Sequence, residues 1–189
     1  MYKAFETYRG LVNPWSIDHV GHMNVQFYTA RFDEASWQFL GRLGLSPTFL
    51  KRSGRAAVAA DQRTEYKHEV FAGTLLHITS QLVVLGTKSM KIVHRMFNSE
   101  TNVEVAEMEI VGVYFDTERR LPVDLPDRVR EIAETMRVTQ ETPIAAHVAV
   151  RTTGQFHTAP ARQARASAGY VRVAPRAHRP AEESDSGGE

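Results

Sequence analysis

Between residues 18 and 28 the sequence gathers groups able to act on a carbonyl: Asp18-His19-Val20-Gly21-His22-Met23-Asn24, and then Tyr28. A carboxylate such as Asp18 can attack a carbonyl carbon or take a proton from water. Asn24 is a good helix N-cap. A helix starting there leaves its first N–H groups without partners, at the positive end of its dipole. Amides of Gly21, His22 or Met23 aimed at the same point would steady an oxyanion, each worth about 3–4 kcal/mol of barrier. Gly21 would also permit a backbone approach that a Cβ would block.

Each of these residues has a plainer reading. Asp18 alone is an ordinary Asx-turn residue, and only its surroundings favour catalysis. His22 can orient Asp18, bond a carbonyl oxygen or satisfy loop backbone. Asn24 can be a cap and nothing more, and Tyr28 can be a core residue with a satisfied hydroxyl. His19 and His22 are three apart, but no third ligand in a matching pattern follows, so a metal site is not expected. Asp33 and Glu34 form a second carboxylate pair, read as ion-pairing or partner-facing residues.

The elements that must hold this loop can be read around it. Phe5–Val12 predicts a first strand, ended by Asn13-Pro14. From Asn24, Val25, Tyr28, Phe32, Ala35 and Phe39 recur at steps of three and four, while Phe27, Ala30, Trp37 and Leu40 fall off that stripe. The pattern predicts a helix buried on most sides, stopped by Gly41 and Gly44 with Pro47 beyond. Extended segments follow at Ala56–Val70, Leu75–Leu85, Met90–Phe97 and Val103–Asp116. Leu76, Ile78, Leu82 and Val84 are expected on one face, and Gly86-Thr87-Lys88-Ser89 is a hairpin turn. A short helix, Asp127–Met136, closes the pattern. The fold class expected is α+β, a sheet wrapped around one long helix.

Composition narrows the function. There is no cysteine among the 189 residues, which excludes disulfides, thiolate metal sites and a cysteine nucleophile. Of 23 basic and 22 acidic residues, seven Arg and five acids lie in residues 137–189. The rest is nearly neutral, so no nucleic-acid surface is expected. No apolar run approaches the roughly 20 residues of a membrane span, and the N-terminus lacks a secretory h-region. No membrane association and a cytoplasmic location are therefore expected. Residues 1–136 read as one domain. Residues 137–189, with 11 Ala and 4 Pro and no periodicity, read as a disordered tail.

The segment Asp18-His19-Val20-Gly21-His22-Met23-Asn24 with Tyr28 resembles the active-site segment of the 4-hydroxybenzoyl-CoA thioesterase-like hot-dog proteins. Gly86-Thr87-Lys88-Ser89 resembles that family's Gly-x-x-Ser hairpin, and Val113-Tyr114-Phe115-Asp116 its last strand. The resemblance covers about residues 2 to 136. It implies a hot-dog fold, a homodimer or homotetramer with sites between subunits, and hydrolysis of an acyl-CoA thioester without a cofactor. Asp18, Gly21 and His22 would be catalytic. Asn24, Tyr28, Thr87 and Ser89 would bind substrate, with Lys51, Arg52, Arg55, Lys88 and Lys91 as candidate cations for the coenzyme phosphates. A hot-dog dehydratase is the first rival, but its Gly-Asp-x-Asn-Pro-x-His segment is missing. A non-catalytic acyl-CoA-binding protein is the second, and Asp18 argues against it.

Overall fold

A computed structural model describes residues 1–138 of the chain. The disorder expected of residues 137–189 therefore lies almost wholly outside the described residues. Arg137 and Val138, just past the expected boundary, still belong to the domain. Arg137 bridges to Tyr2, and the Val138 N–H donates to the Met1 carbonyl at 2.9 Å.

In chain order the elements are β1 (Ala4–Leu11), a 3-10 turn (Pro14–Ser16), α1 (Val25–Arg42), α2 (Pro47–Arg52), β2 (Arg55–Tyr66), β3 (Leu75–Leu85), β4 (Ser89–Asn98), β5 (Glu104–Asp116), β6 (Leu121–Pro122) and α3 (Asp127–Thr135). All pairings are antiparallel, in the order β1-β3-β4-β5-β2, with β6 on the end of β5. Consecutive β3, β4 and β5 form the expected meander. β2 does not join its sequence neighbour β3 but crosses to the far side of β5. The sheet curls around α1, as a hot-dog fold requires.

α1 buries Tyr28, Phe32, Ala35, Ser36, Phe39 and Leu40 against the inner face. The expectation of burial on most sides is not met in the single chain. Val25 and Trp37 are exposed, because nothing among the described residues covers them. Gly41 continues the helix, and the stop comes at Gly44, whose φ of +84° a residue with a Cβ rarely adopts. Pro47 opens rather than blocks structure. It occupies the first turn of α2, whose N-cap Ser46 accepts from the Phe49 N–H at 3.2 Å. Val84 is the other departure. The β3–β4 register shifts between Leu82 and Val84, and this bulge turns Val84 outward, away from buried Leu76, Ile78 and Leu82.

The outer face of the sheet is wet and carries cross-strand ion pairs, such as Lys91–Glu109 at 2.9 Å and Arg95–Glu107 at 2.8 Å. The inner face carries one polar exception. His94 has no exposed surface and lies between Ser36 Oγ, 3.0 Å from Nε2, and Ser80 Oγ, 2.6 Å from Nδ1. Ser80 Oγ is in turn 2.5 Å from Thr7 Oγ1, which a bulge in β1 turns inward. Ser36 Oγ donates to the Phe32 carbonyl at 2.8 Å. Thr7 Oγ1 also donates to the Ile78 carbonyl at 3.4 Å. Either tautomer of His94 closes the chain, with one of Ser36 and Ser80 giving a hydrogen bond to the ring and the other receiving one. Every member is satisfied, which is the condition for a polar chain to be tolerated in a core.

Burial pushes the His94 imidazole down to about 4 from an ordinary 6.5. Below pH 6.5 the unfolded chain takes up a proton that the folded chain refuses, so stability falls as pH drops from about 6.5 to 4. The loss from this group is expected to reach about 3 kcal/mol at pH 4. Urea unfolding at pH 7 and pH 4 should show that extra drop in the native chain and not in His94→Gln, whatever the variant's stability at pH 7.

Candidate active site

The loop before α1 is closed by backbone pairing. Ile17 and Met23 form a β-bridge, and the Asp18 N–H donates to the His22 carbonyl at 3.1 Å. Within it the Gly21 N–H returns to the Asp18 carbonyl at 3.1 Å, and Gly21 sits at φ +100°. A Cβ there would meet nothing within 4 Å, so the glycine is required by the turn itself and not by a neighbour. Two further bonds stitch the loop down. The Met23 N–H donates to Val70 O at 2.7 Å, and the Asn24 N–H to Ser16 O at 2.9 Å.

Asp18 is half-buried, and Oδ1 accepts from the Val20 N–H at 2.9 Å. The plain Asx-turn reading is thus realised in the geometry, yet it engages a single oxygen. Among the described residues Oδ2 has no hydrogen-bond partner. Asn24 caps α1, with Oδ1 accepting from the Gln26 N–H at 3.0 Å. Of the three amides expected to face a carbonyl, that of Gly21 is engaged by Asp18 O and that of Met23 by Val70 O. The His22 N–H is unpaired among the described residues, and so is that of Val25, the first residue of α1.

His22, Met23, Val25 and Tyr28 line a cleft of about 320 Å³ with Tyr66, Lys67, His68 and Glu69 from the end of β2 and the segment after it. Asp18 does not line this cleft. Its N–H bonds the carbonyl of His22, which does line it. Tyr28 is buried with its ring edge-on to Tyr66 at 5.1 Å. Burial pushes its hydroxyl up to about 12, with Tyr66 and Glu69 adding to the effect, so near neutral pH it stays protonated and can donate. Lys67 is held by Glu104 at 2.5 Å. Trp15, three residues before Asp18, is 74% exposed.

Thr87 and Ser89 stand elsewhere. The Asp18 loop joins the sheet at the Leu11 and Leu75 ends of β1 and β3, through the Val12 N–H to Thr74 O at 2.9 Å. The hairpin lies beyond Leu85, at the other end of the 11-residue β3, about 33 Å away along the strand. There the Thr87 carbonyl accepts from Leu125 and Arg130. One copy of the chain does not bring the hairpin to the loop. Of the candidate phosphate-binding cations, Arg55, Lys88 and Lys91 are paired with Asp116, Asp124 and Glu109. Lys51 and Arg52 sit exposed in the last turn of α2. Glu34 pairs with Arg31 at 3.0 Å, while Asp33 borders a second cavity with Ser36 and Trp37.

Sequence reasoning missed Tyr66, His68 and Glu69 as cleft residues, and Ser36–His94 altogether. The signal for His94 was present. It shares an alternating inward face with Met90, Ile92 and Met96.

A family model described as the thioesterase-like superfamily matches residues 12–133, more than half of the chain. A betainyl-CoA thioesterase of Pseudomonas aeruginosa is 26% identical over 141 residues, covering 72% of this chain and 89% of that protein. Among solved structures, a hypothetical protein from Staphylococcus aureus in complex with CoA aligns with a TM-score of 0.67. It has 16% identity and covers 76% of this chain and 92% of that one. A probable thioesterase from Escherichia coli aligns with a TM-score of 0.59 and 25% identity, covering 68% and 96%.

The turn geometry makes a direct claim. Gly21→Ala is expected to cost about 1 kcal/mol in urea unfolding, entirely from the positive φ, since the space for a methyl group is open.

Proposed function

We infer that this chain, which belongs to the thioesterase-like superfamily, is a thioester hydrolase whose substrate is an acyl-CoA. A CoA-bound structural neighbour and a relative that is a CoA thioesterase support the coenzyme half of that reading. The observation that carries the mechanism is the divided role of the Asp18 carboxylate: one oxygen locks the turn and the other is open. The locked oxygen holds the group still, and the open one attacks the thioester carbonyl or activates water. The unpaired His22 and Val25 amides, at the positive end of α1, receive the oxyanion. His22, Tyr28 and Asn24 border the approach, with Tyr28 as a permanent donor.

The active species in this proposal is a homodimer paired along β2. Among the described residues β2 bonds only to β5, so its outer edge is open, and Val58, Ala59 and Ala60 on it are exposed. An open edge of this length is normally covered. A two-fold axis near the middle of β2 would lay the Arg55–Ala59 half of one strand beside the Asp61–Tyr66 half of the other. The partner's hairpin end, with Thr87, Ser89, Lys51 and Arg52, would then approach the cleft beside Asp18. The flank of α1 left bare by one copy would be covered by the same contact.

Asp18→Asn keeps an oxygen for the Val20 N–H, so the melting temperature should change little while turnover falls by at least about a hundredfold. The assay is CoA thiol release over short, branched, aromatic and long-chain acyl-CoAs. Near-native turnover would remove Asp18 from the chemistry. Binding without release by the native chain would favour a non-catalytic binder. Light scattering should give twice the chain mass, and Val58→Asp should shift it towards monomer with loss of activity. A fully active native monomer would overturn the dimer.

A further inference from the structure

A second cavity, of about 110 Å³, lies between α1 and the sheet. It is walled by Leu40, Met90, Ile92 and Ile110, with Trp37 and Asp33 towards solvent and Ser36 as its polar point. The chain through His94 limits what Ser36 offers there. Its one proton is taken by the Phe32 carbonyl at 2.8 Å, and His94 Nε2 stands at 3.0 Å. With that proton engaged, Ser36 Oγ keeps a lone pair that can accept a hydrogen bond from a bound group.

We propose that Ser36 is a specificity-determining residue, an acceptor fixed among the apolar walls of a cavity that has Asp33 only at its solvent side, and that it selects a short acyl group carrying a hydroxyl. The proposal rests on the hydrolase reading above and on pairing along β2, because Ala57–Ala59 of β2 also line the cavity and the two-fold sets them beside the partner's cleft. The volume sets the length. A cavity of about 150 Å³ holds a benzene ring, so 110 Å³ suits an acyl group of about four carbons. A hydroxyl on such a group would complete Ser36, and a plain alkyl group would leave the lone pair unmet in an apolar wall.

The test measures kcat/KM for butyryl-CoA, 3-hydroxybutyryl-CoA and 4-hydroxybutyryl-CoA with the native chain, Ser36→Ala and Ser80→Ala. The native chain should prefer one of the hydroxylated thioesters to butyryl-CoA by about tenfold, the size of one satisfied hydrogen bond. Ser36→Ala should bring that ratio to about one by losing the hydroxylated substrate alone. Ser80→Ala cuts the buried chain on the far side of His94 and leaves the Ser36 proton on Phe32. It should lower the melting temperature and keep the preference. An equal ratio in the native chain, a ratio unmoved in Ser36→Ala, or hydrolysis confined to long or aromatic acyl groups overturns the proposal and leaves the hydrolase reading intact. No CoA release from any thioester overturns both.

Discussion

A long helix in the curl of a sheet must bury one face completely, and the rest of this molecule accommodates that demand. Phe32, Ala35 and Phe39 have no exposed surface, and the curl closes on them. With the helix so placed, Ser36 on the same face is buried too and must find partners. It finds Phe32 O and His94, and His94 then requires Ser80 and Thr7. The bulge that turns Thr7 inward belongs to this same requirement. A helix position thus reaches through the core to shape an edge strand.

The helix axis also decides where the Asp18 loop stands. α1 can enter its groove only if its first turn is anchored, and the Met23–Val70 and Asn24–Ser16 bonds supply the anchor. The first of these bonds uses an amide, that of Met23, which would otherwise be free to face a substrate. The Asp18 loop is therefore a structural clasp as well as the surface proposed to react, and each N–H serves one purpose. Dipole, cap and carboxylate converge because one short hairpin performs all the fastening.

What could be read from sequence is what depends on near neighbours. The Asn24 cap, the Tyr28–Phe32–Ala35–Phe39 stripe and the β3-β4-β5 meander express spacings of a few residues, and they stand as expected. What could not be read depends on distant partners. Ser36 and His94 lie 58 positions apart, and only the folded sheet brings them together. Val84 keeps perfect alternation in sequence, yet a single bulged residue reverses its face. Pro47 resembles a stop signal until Ser46 is seen capping the helix it begins. The engaged state of the Gly21 and Met23 amides is likewise a property of tertiary bonds, invisible to residue type.

The crossed strand order has a consequence for how the chain comes together. β3, β4 and β5 pair with immediate neighbours, but Ala4 must find Gln81 and Arg55 must find Asp116. Loop closure is the slow part of such topologies, so the meander has the kinetic advantage and the two outer strands dock onto it later. Until they do, Leu76, Ile78, Met96 and Met108 face water, and both borders of the young sheet are open to neighbouring chains. Refolding yield should for this reason fall with chain concentration even where the finished domain is fully soluble.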